Sequence, residues 1–185
     1  MDNDLRLIQL IAEGDKLAFR QFYALFKDRV YNTAISYVQN VVDAEEITQD
    51  VFLKIHQNAL KFKGTSAVST WVYRITVNTA INVLKKWRRF SFFKFDRAET
   101  TIPDFDHPGI LLEKKEDAKI LFAEIKRLPS SQQTAFILSF IEGLPRQKVA
   151  DIMDTTLKAV ESLLQRAKKN VRIQLEKRLT WTKEK

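Results

Sequence analysis

The chain has 185 residues, is 45% hydrophobic with 13 Phe and 3 Trp, and carries a net charge of +8. That is enough apolar material for one large core or two small ones, and the lack of Cys excludes disulfides, thiolate metal sites and cysteine nucleophiles. The two histidines, His56 and His107, lie far apart, and there is no glycine-rich phosphate loop or nucleophile elbow, so no metal, cofactor or catalytic centre is expected.

With only 4 Gly and 4 Pro, and apolar residues recurring mostly every three or four positions, the pattern predicts an all-α fold. The start, Met1-Asp2-Asn3-Asp4, lacks the basic-then-apolar pattern of a signal peptide. No apolar run is long enough to span a bilayer. The expectation is a cytoplasmic chain with no direct membrane insertion. Charge is unevenly placed. Residues 1–90 carry 13 basic and 9 acidic side chains, residues 91–143 carry 7 and 9, and residues 144–185 carry 11 and 5. Two basic segments around an acidic middle suggest two nucleic-acid contacts and a linker that avoids or imitates the polyanion.

In chain order, residues 5–38 read as two helices. Leu7, Ile8, Leu10 and Ile11 open the first, Gly14-Asp15 ends it, and Phe19, Phe22, Tyr23, Phe26, Val30, Ala34, Tyr37 and Val38 form the inner stripe of the second. A third helix is predicted from Asp43 to Gln57 with Ala44, Ile47, Val51 and Ile55 buried. Asp43, Glu46, Gln49, Asp50 and Leu53 fall on or near its other side. Favourable charge at a helix N-terminus explains the first acidic residues. It does not explain Gln49, Asp50 and an outward Leu53, which fit a protein-docking face better.

After Lys61-Phe62-Lys63-Gly64 the chain turns, and Ser69 or Thr70 can cap a fourth helix running to about Arg89. Val72, Thr76, Val77, Ala80, Ile81, Val83, Leu84 and Trp87 fill its inner arc. Arg74, Asn78, Asn82, Lys85 and Arg89 share a polar face, with Trp71 on that side at the start. Asn can hydrogen-bond base edges, an aromatic ring can replace a stacked base, and the Lys and Arg residues can hold phosphates. The plainer alternatives are a solvated face and a core Trp71. Residues 90–97 interleave Phe with basic residues and can either clamp unstacked bases or fold back onto the helices.

Residues 98–112, with Pro103, Asp104, Asp106, Pro108 and Gly109, read as a flexible acidic linker between two small helical domains, 1–97 and 113–185. Helices resume at 112–127, with Leu112, Ile120, Leu121, Phe122 and Ile125, and at 130–142, with Ala135, Phe136, Leu138, Phe140 and Ile141. Residues 142–169 then predict a helix-turn-helix. Val149, Ile152 and Met153 line the first helix, and Val160, Leu163, Leu164, Ala167 and Val171 the second. The break falls at Asp154-Thr155-Thr156, where Asp can take a left-handed backbone and Thr can cap the next helix. Lys158, Ser162, Gln165, Arg166 and Lys169 lie together away from the buried stripe, as major-groove reading requires. The tail from Leu175 is expected to prolong this last helix.

Taken together, these segments resemble the sigma-70 family of bacterial transcription initiation factors in its short, extracytoplasmic-function (ECF) form. Asp43–Lys54 resembles the family's core-polymerase-binding helix, Ser69–Leu84 its promoter-melting helix, and Leu128–Val171 the domain that reads the upstream promoter element. The resemblance implies that Asp43, Glu46, Gln49, Asp50 and Leu53 dock on the coiled coil of the largest subunit of RNA polymerase. It implies that Trp71, Arg74, Asn78, Asn82, Lys85, Lys86, Arg88 and Arg89 serve the −10 element, with Asn82 and an 88–95 loop recognising a flipped base. Lys158, Glu161, Ser162, Gln165, Arg166, Lys168 and Lys169 would serve the −35 element. The partners implied are core RNA polymerase, including its flap, promoter DNA and an anti-sigma factor, and no enzymatic activity is expected. Three positions depart from the family pattern: Asp154 replaces the usual turn Gly, Pro145 a Ser or Thr cap, and Glu161 an often basic residue. An autonomous helix-turn-helix regulator would use the same C-terminal face but has no use for the acidic face, Trp71 or Asn82. A helical module that sequesters polymerase would need only the docking face.

Overall fold

Several helix ends have a local cause in the residues that flank them. In the computed structural model, which describes residues 3–91 and 115–183, these residues form α-helices with one short 3-10 turn and one π segment, and no strand among the described residues. The chain divides into two compact units, Met1–Asp96 and Arg97–Lys185. The 98–112 linker and residues 92–97 of the aromatic segment lie outside the described residues.

The first unit packs four helices, α1 (Asn3–Ala12), α2 (Lys16–Val38), α3 (Val41–Asn58) and α4 (Val68–Ser91). Asp15 caps α2, accepting from the backbone N–H of Leu17 at 2.7 Å and of Ala18 at 3.1 Å, which satisfies donors that a helix start leaves open. Gln39 ends α2 in the left-handed region at φ 56°. Asn40 then caps α3 through the N–H of Asp43 at 3.1 Å, so α3 starts two residues before the predicted Asp43. Neither Ser69 nor Thr70 caps α4, as the sequence had suggested. The helix has already begun at Val68, and Thr70 and Trp71 donate their N–H groups to the Ala67 carbonyl.

Phe22 and Phe26, stacked at 4.5 Å, and Val30, Ile47, Val51, Ile55, Val72 and Val77 form the inner core. Burying each large side chain stabilises the fold by about 1.5–3 kcal/mol. Tyr23 departs from the expected stripe. It is exposed, with its ring 4.5 Å from that of Phe52. Ile81, Val83, Leu84 and Trp87 are half-buried, so the inner arc of α4 is fully covered only in its first half. Buried hydroxyls add no unmet polar groups to this core. Thr33, Thr48, Thr76 and Thr79 each donate to the carbonyl four residues earlier, at 2.7–2.9 Å. Thr79 also accepts from Lys54 Nζ at 3.0 Å, tying α3 to α4.

The second unit contains α5 (Lys115–Arg127), α6 (Ser130–Phe136), a π segment (Ile137–Ile141), α7 (Arg146–Met153) and α8 (Leu157–Lys183). The expected helix over 130–142 is therefore not uniform. Glu142 N–H reaches back five residues to the Ile137 carbonyl at 2.9 Å, the mark of a π turn. Ile137 and Leu138 are wholly buried, whereas Phe140 is 41% exposed rather than a core residue. Asn170 of α8 donates to Gln132 Oε1 of α6 at 2.9 Å.

The turn between α7 and α8 follows the chemistry read from its residues. Asp154 adopts φ 52°, ψ 53°, and Thr155 N–H bonds the Ala150 carbonyl at 3.0 Å, a six-residue closure typical of left-handed helix ends. Thr156 Oγ1 accepts from Ala159 N–H at 3.2 Å and caps α8. Val149, Ile152, Val160, Leu164, Ala167 and Val171 are buried, with Met153 and Leu163 half-buried. A residue with a Cβ in this conformation carries a steric cost that Gly does not. Asp154→Gly is therefore expected to stabilise the second unit by about 0.5–1 kcal/mol, and Asp154→Val to destabilise it by about 1–2 kcal/mol. Urea unfolding of the two variants against the parent chain, followed by circular dichroism, measures both.

Candidate nucleic-acid and protein interfaces

Three helix faces carry the sequence-predicted residues, two in the first unit and one in the second. On α3, Glu46, Gln49 and Asp50 are exposed and Asp43 is half-buried. Leu53, among them, is 58% exposed. Among the described residues, neither Glu46 nor Asp50 takes part in an ion pair. Unpaired carboxylates around an exposed leucine suit a partner that brings its own cations and an apolar contact.

On α4, Asn78, Asn82, Lys85, Lys86 and Arg89 are exposed and Arg74 is half-buried. The 24-residue helix runs to Ser91, so residues 88–91 form its last turn and not the start of a loop; the rest of the expected 88–95 loop lies outside the described residues, as does the side chain of Arg88. Trp71 is half-buried rather than core, and its indole lies 5.0 Å from the Phe62 ring at 44°. Phe62 was not singled out by the sequence, where it stood only in a turn. Its signal is its place just after the 3-10 turn Ala59–Lys61, which aims the ring at the head of α4. A surface cavity of about 360 Å³ beside it is lined by Leu5, Phe62, Gly64, Thr65, Ser66 and Val68, among others. A second residue the sequence did not flag is Arg29 of α2, whose guanidinium lies 5.3 Å from the Phe26 ring and 5.9 Å from that of Tyr73.

On α8, Lys158, Glu161, Ser162, Gln165, Arg166, Lys168 and Lys169 are all exposed. They are not equivalent. Arg166 Nε donates to the Ser162 carbonyl at 3.2 Å, which lays the guanidinium along the helix. Lys168 Nζ sits 4.6 Å from the centre of the Phe140 ring, and Phe140 in turn packs on Phe136 at 4.9 Å. Glu161 Oε1 lies 3.5 Å from Arg146 Nη1 at the start of α7. Arg146 too was missed, because nothing in a linear pattern pairs positions 15 residues apart.

A helical protein whose second unit presents a basic recognition helix, and whose first presents an Asn- and Lys-bearing helix beside an acidic face, belongs to the class of helix-turn-helix transcription proteins that also engage another protein. Residues 22–90 match the sigma-70 region 2 family, and residues 119–171 match sigma-70 region 4. The chain is 32% identical over 176 residues to the ECF RNA polymerase sigma-E factor of Haemophilus influenzae, covering 91% of this chain and 93% of that one. It is 27% identical over 181 residues to the RNA polymerase sigma-H factor of Pseudomonas aeruginosa, covering 92% of each. The fold is similar to that of the sigma factor RpoE of Bartonella quintana, solved in complex with the anti-sigma factor NepR, with TM-score 0.68 and 20% identity over 85% of this chain and 96% of that one. The chain belongs to the sigma-70 family, in its ECF group, and is an RNA polymerase sigma factor that directs transcription. Core RNA polymerase and promoter DNA are the partners this family membership carries. No helix among the described residues is long and apolar enough to cross a membrane.

If Phe62 holds Trp71 in place, Phe62→Ala exposes the indole. With Trp87 and Trp181 replaced by Phe, the emission maximum of Trp71 is expected to shift to the red in Phe62→Ala and to stay put in Lys63→Ala.

Proposed function

We propose that the work of initiation is divided between the two units. The first, residues 1–97, docks on core polymerase through Asp43, Glu46, Gln49, Asp50 and Leu53 of α3 and captures unpaired −10 bases on α4. The second, residues 113–185, reads the −35 duplex through α8, and residues 98–112 connect them. The observation that carries the reading is the face of α4. A polar row from Asn78 to Arg89, headed by a Trp supported from behind, suits single-stranded DNA better than it suits solvent.

Opening then needs no chemistry from this chain. Bases held only when unpaired shift the equilibrium between closed and melted duplex toward the melted form. Trp71 offers a ring to the edge of the opened segment, Asn78 and Asn82 offer amide groups to base edges, and Lys85, Lys86, Arg88, Arg89 and Arg74 follow the backbone. On α8, Ser162, Gln165 and Arg166 face the major groove, while Lys158, Lys168 and Lys169 lie toward phosphates. The chain is not an enzyme in this reading, since phosphodiester formation belongs to the polymerase, and it acts in the cytoplasm where the polymerase is. An anti-sigma factor that covers these faces is the proposed regulator; a fold shared with a sigma factor captured in such a complex supports it.

Arg166→Ala in the reconstituted holoenzyme is expected to weaken binding to the upstream duplex by about 1–3 kcal/mol and to leave capture of a pre-melted downstream strand unchanged. Trp71→Ala should do the reverse, by about 1–3 kcal/mol. Fluorescence anisotropy with the two DNA fragments separates these effects, and loss of the same step in both variants rules out the division of labour. Asp50→Lys is expected to lower affinity for core polymerase, measured by competition against the parent chain, with upstream duplex binding by the free protein unaltered. Tight operator binding without polymerase, and no transcript with it, would identify an autonomous regulator instead.

A further inference from the structure

Glu161 is the single acidic side chain between Leu157 and Lys169, the part of α8 that a major groove would receive. Half its side-chain surface is exposed, and so is just over half that of Arg146, whose Nη1 lies 3.5 Å from Glu161 Oε1. A lone carboxylate on a DNA-facing surface is repelled by the phosphates on both edges of the groove. Arg146 offsets that repulsion. It opens α7 directly after Pro145, and in helix-turn-helix docking this first helix crosses the sugar–phosphate backbone. A guanidinium has five N–H donors in a fixed fork, so one edge of Arg146 can hold the carboxylate while another meets a phosphate.

The chemistry of the groove then selects the base. An ionised carboxylate only accepts hydrogen bonds. Guanine presents O6 and N7 and thymine presents O4, all acceptors, so both oppose it. Adenine offers its N6 amino group, but with the N7 acceptor beside it. Cytosine offers its N4 amino group with no acceptor on the same exposed edge.

We propose that Glu161 is a specificity-determining residue that reads a cytosine in the upstream promoter element, and that Arg146 is its positioning residue. The inference rests on the reading that α8 docks in the major groove, and it adds to that reading the base and the residue that selects it. Arg146 acts through Glu161 by fixing its rotamer and balancing its charge, and it carries no base preference of its own.

The test uses holoenzyme and a pool of promoter duplexes with a fixed downstream element and a randomised upstream one, with bound and unbound fractions sequenced. The parent chain is expected to enrich cytosine at one upstream position by roughly 5- to 150-fold over guanine or thymine. Glu161→Ala should flatten that position alone, and Glu161→Gln should move its preference to adenine, the base that a carboxamide pairs with at two points. Arg146→Ala should weaken binding and blur the same position, and Arg146→Lys, which keeps the charge but not the fork, should restore the cytosine preference only in part. Cytosine enrichment that persists in Glu161→Ala, or adenine as the parent's preferred base there, overturns the proposal. Arg166→Ala in the same pool distinguishes the two levels. If it reshapes upstream preferences while Glu161→Ala does not, only the cytosine assignment fails. If neither variant changes any upstream position, the docking of α8 itself is wrong and the proposal falls with it.

Discussion

The left-handed backbone at Asp154 sets the angle at which α8 leaves α7, and the second unit depends on it. Without that reversal, Val149 and Ile152 on one helix could not share a core with Val160, Leu164 and Ala167 on the other. The same rotation that buries those five side chains turns Lys158, Ser162, Gln165 and Arg166 outward. Core formation and display of this polar, basic face are thus one event. An eight-residue helix such as α7 has too little length to be stable alone, so it is formed by this closure and by its contacts with α8.

The first unit meets a different constraint. Its fourth helix must pack on one side while it carries Asn78, Asn82, Lys85, Lys86 and Arg89 exposed on the other, along a length of 24 residues. The sequence reconciles these demands with threonines. Thr76 and Thr79 are buried, yet their hydroxyls are bonded to carbonyls of their own helix, so one side is filled without Leu or Ile at every position. Toward its end the helix loses its covering, with Ile81, Val83 and Leu84 only half-buried. Coverage grades from a fixed beginning, where Trp71 rests on Phe62, to an end rich in exposed cations.

Much of this was legible in the sequence because helical period and capping are local. Asp15, Asp154 and Thr156 announced their turns, and the stripes of α3 and α8 were read residue by residue. What escaped depends on partners distant in the chain. Tyr23 and Phe140 have the right period for core residues, but period says which side faces inward and not how far the neighbouring helix reaches. The extra residue of the π segment has no composition of its own, although Ile137 and Leu138 at its start are both wholly buried. Phe62 with Trp71 and Arg146 with Glu161 are tertiary pairs, invisible to a window of a few residues. Ser69 and Thr70 carried a genuine capping signal, but the helix starts at the buried Val68, two residues before the start that a Ser69 cap would give.

Lys168 gives the π segment a consequence beyond packing. By exposing Phe140, the π turn provides a ring over which the ammonium of Lys168 settles. An exposed contact of that kind contributes about 0.5–1 kcal/mol, which any anion that draws the ammonium away has to exceed. A cation is thereby moored to the protein's own surface. The ring leaves the ammonium's charge intact, so the mooring narrows where Lys168 can reach without making the face less basic.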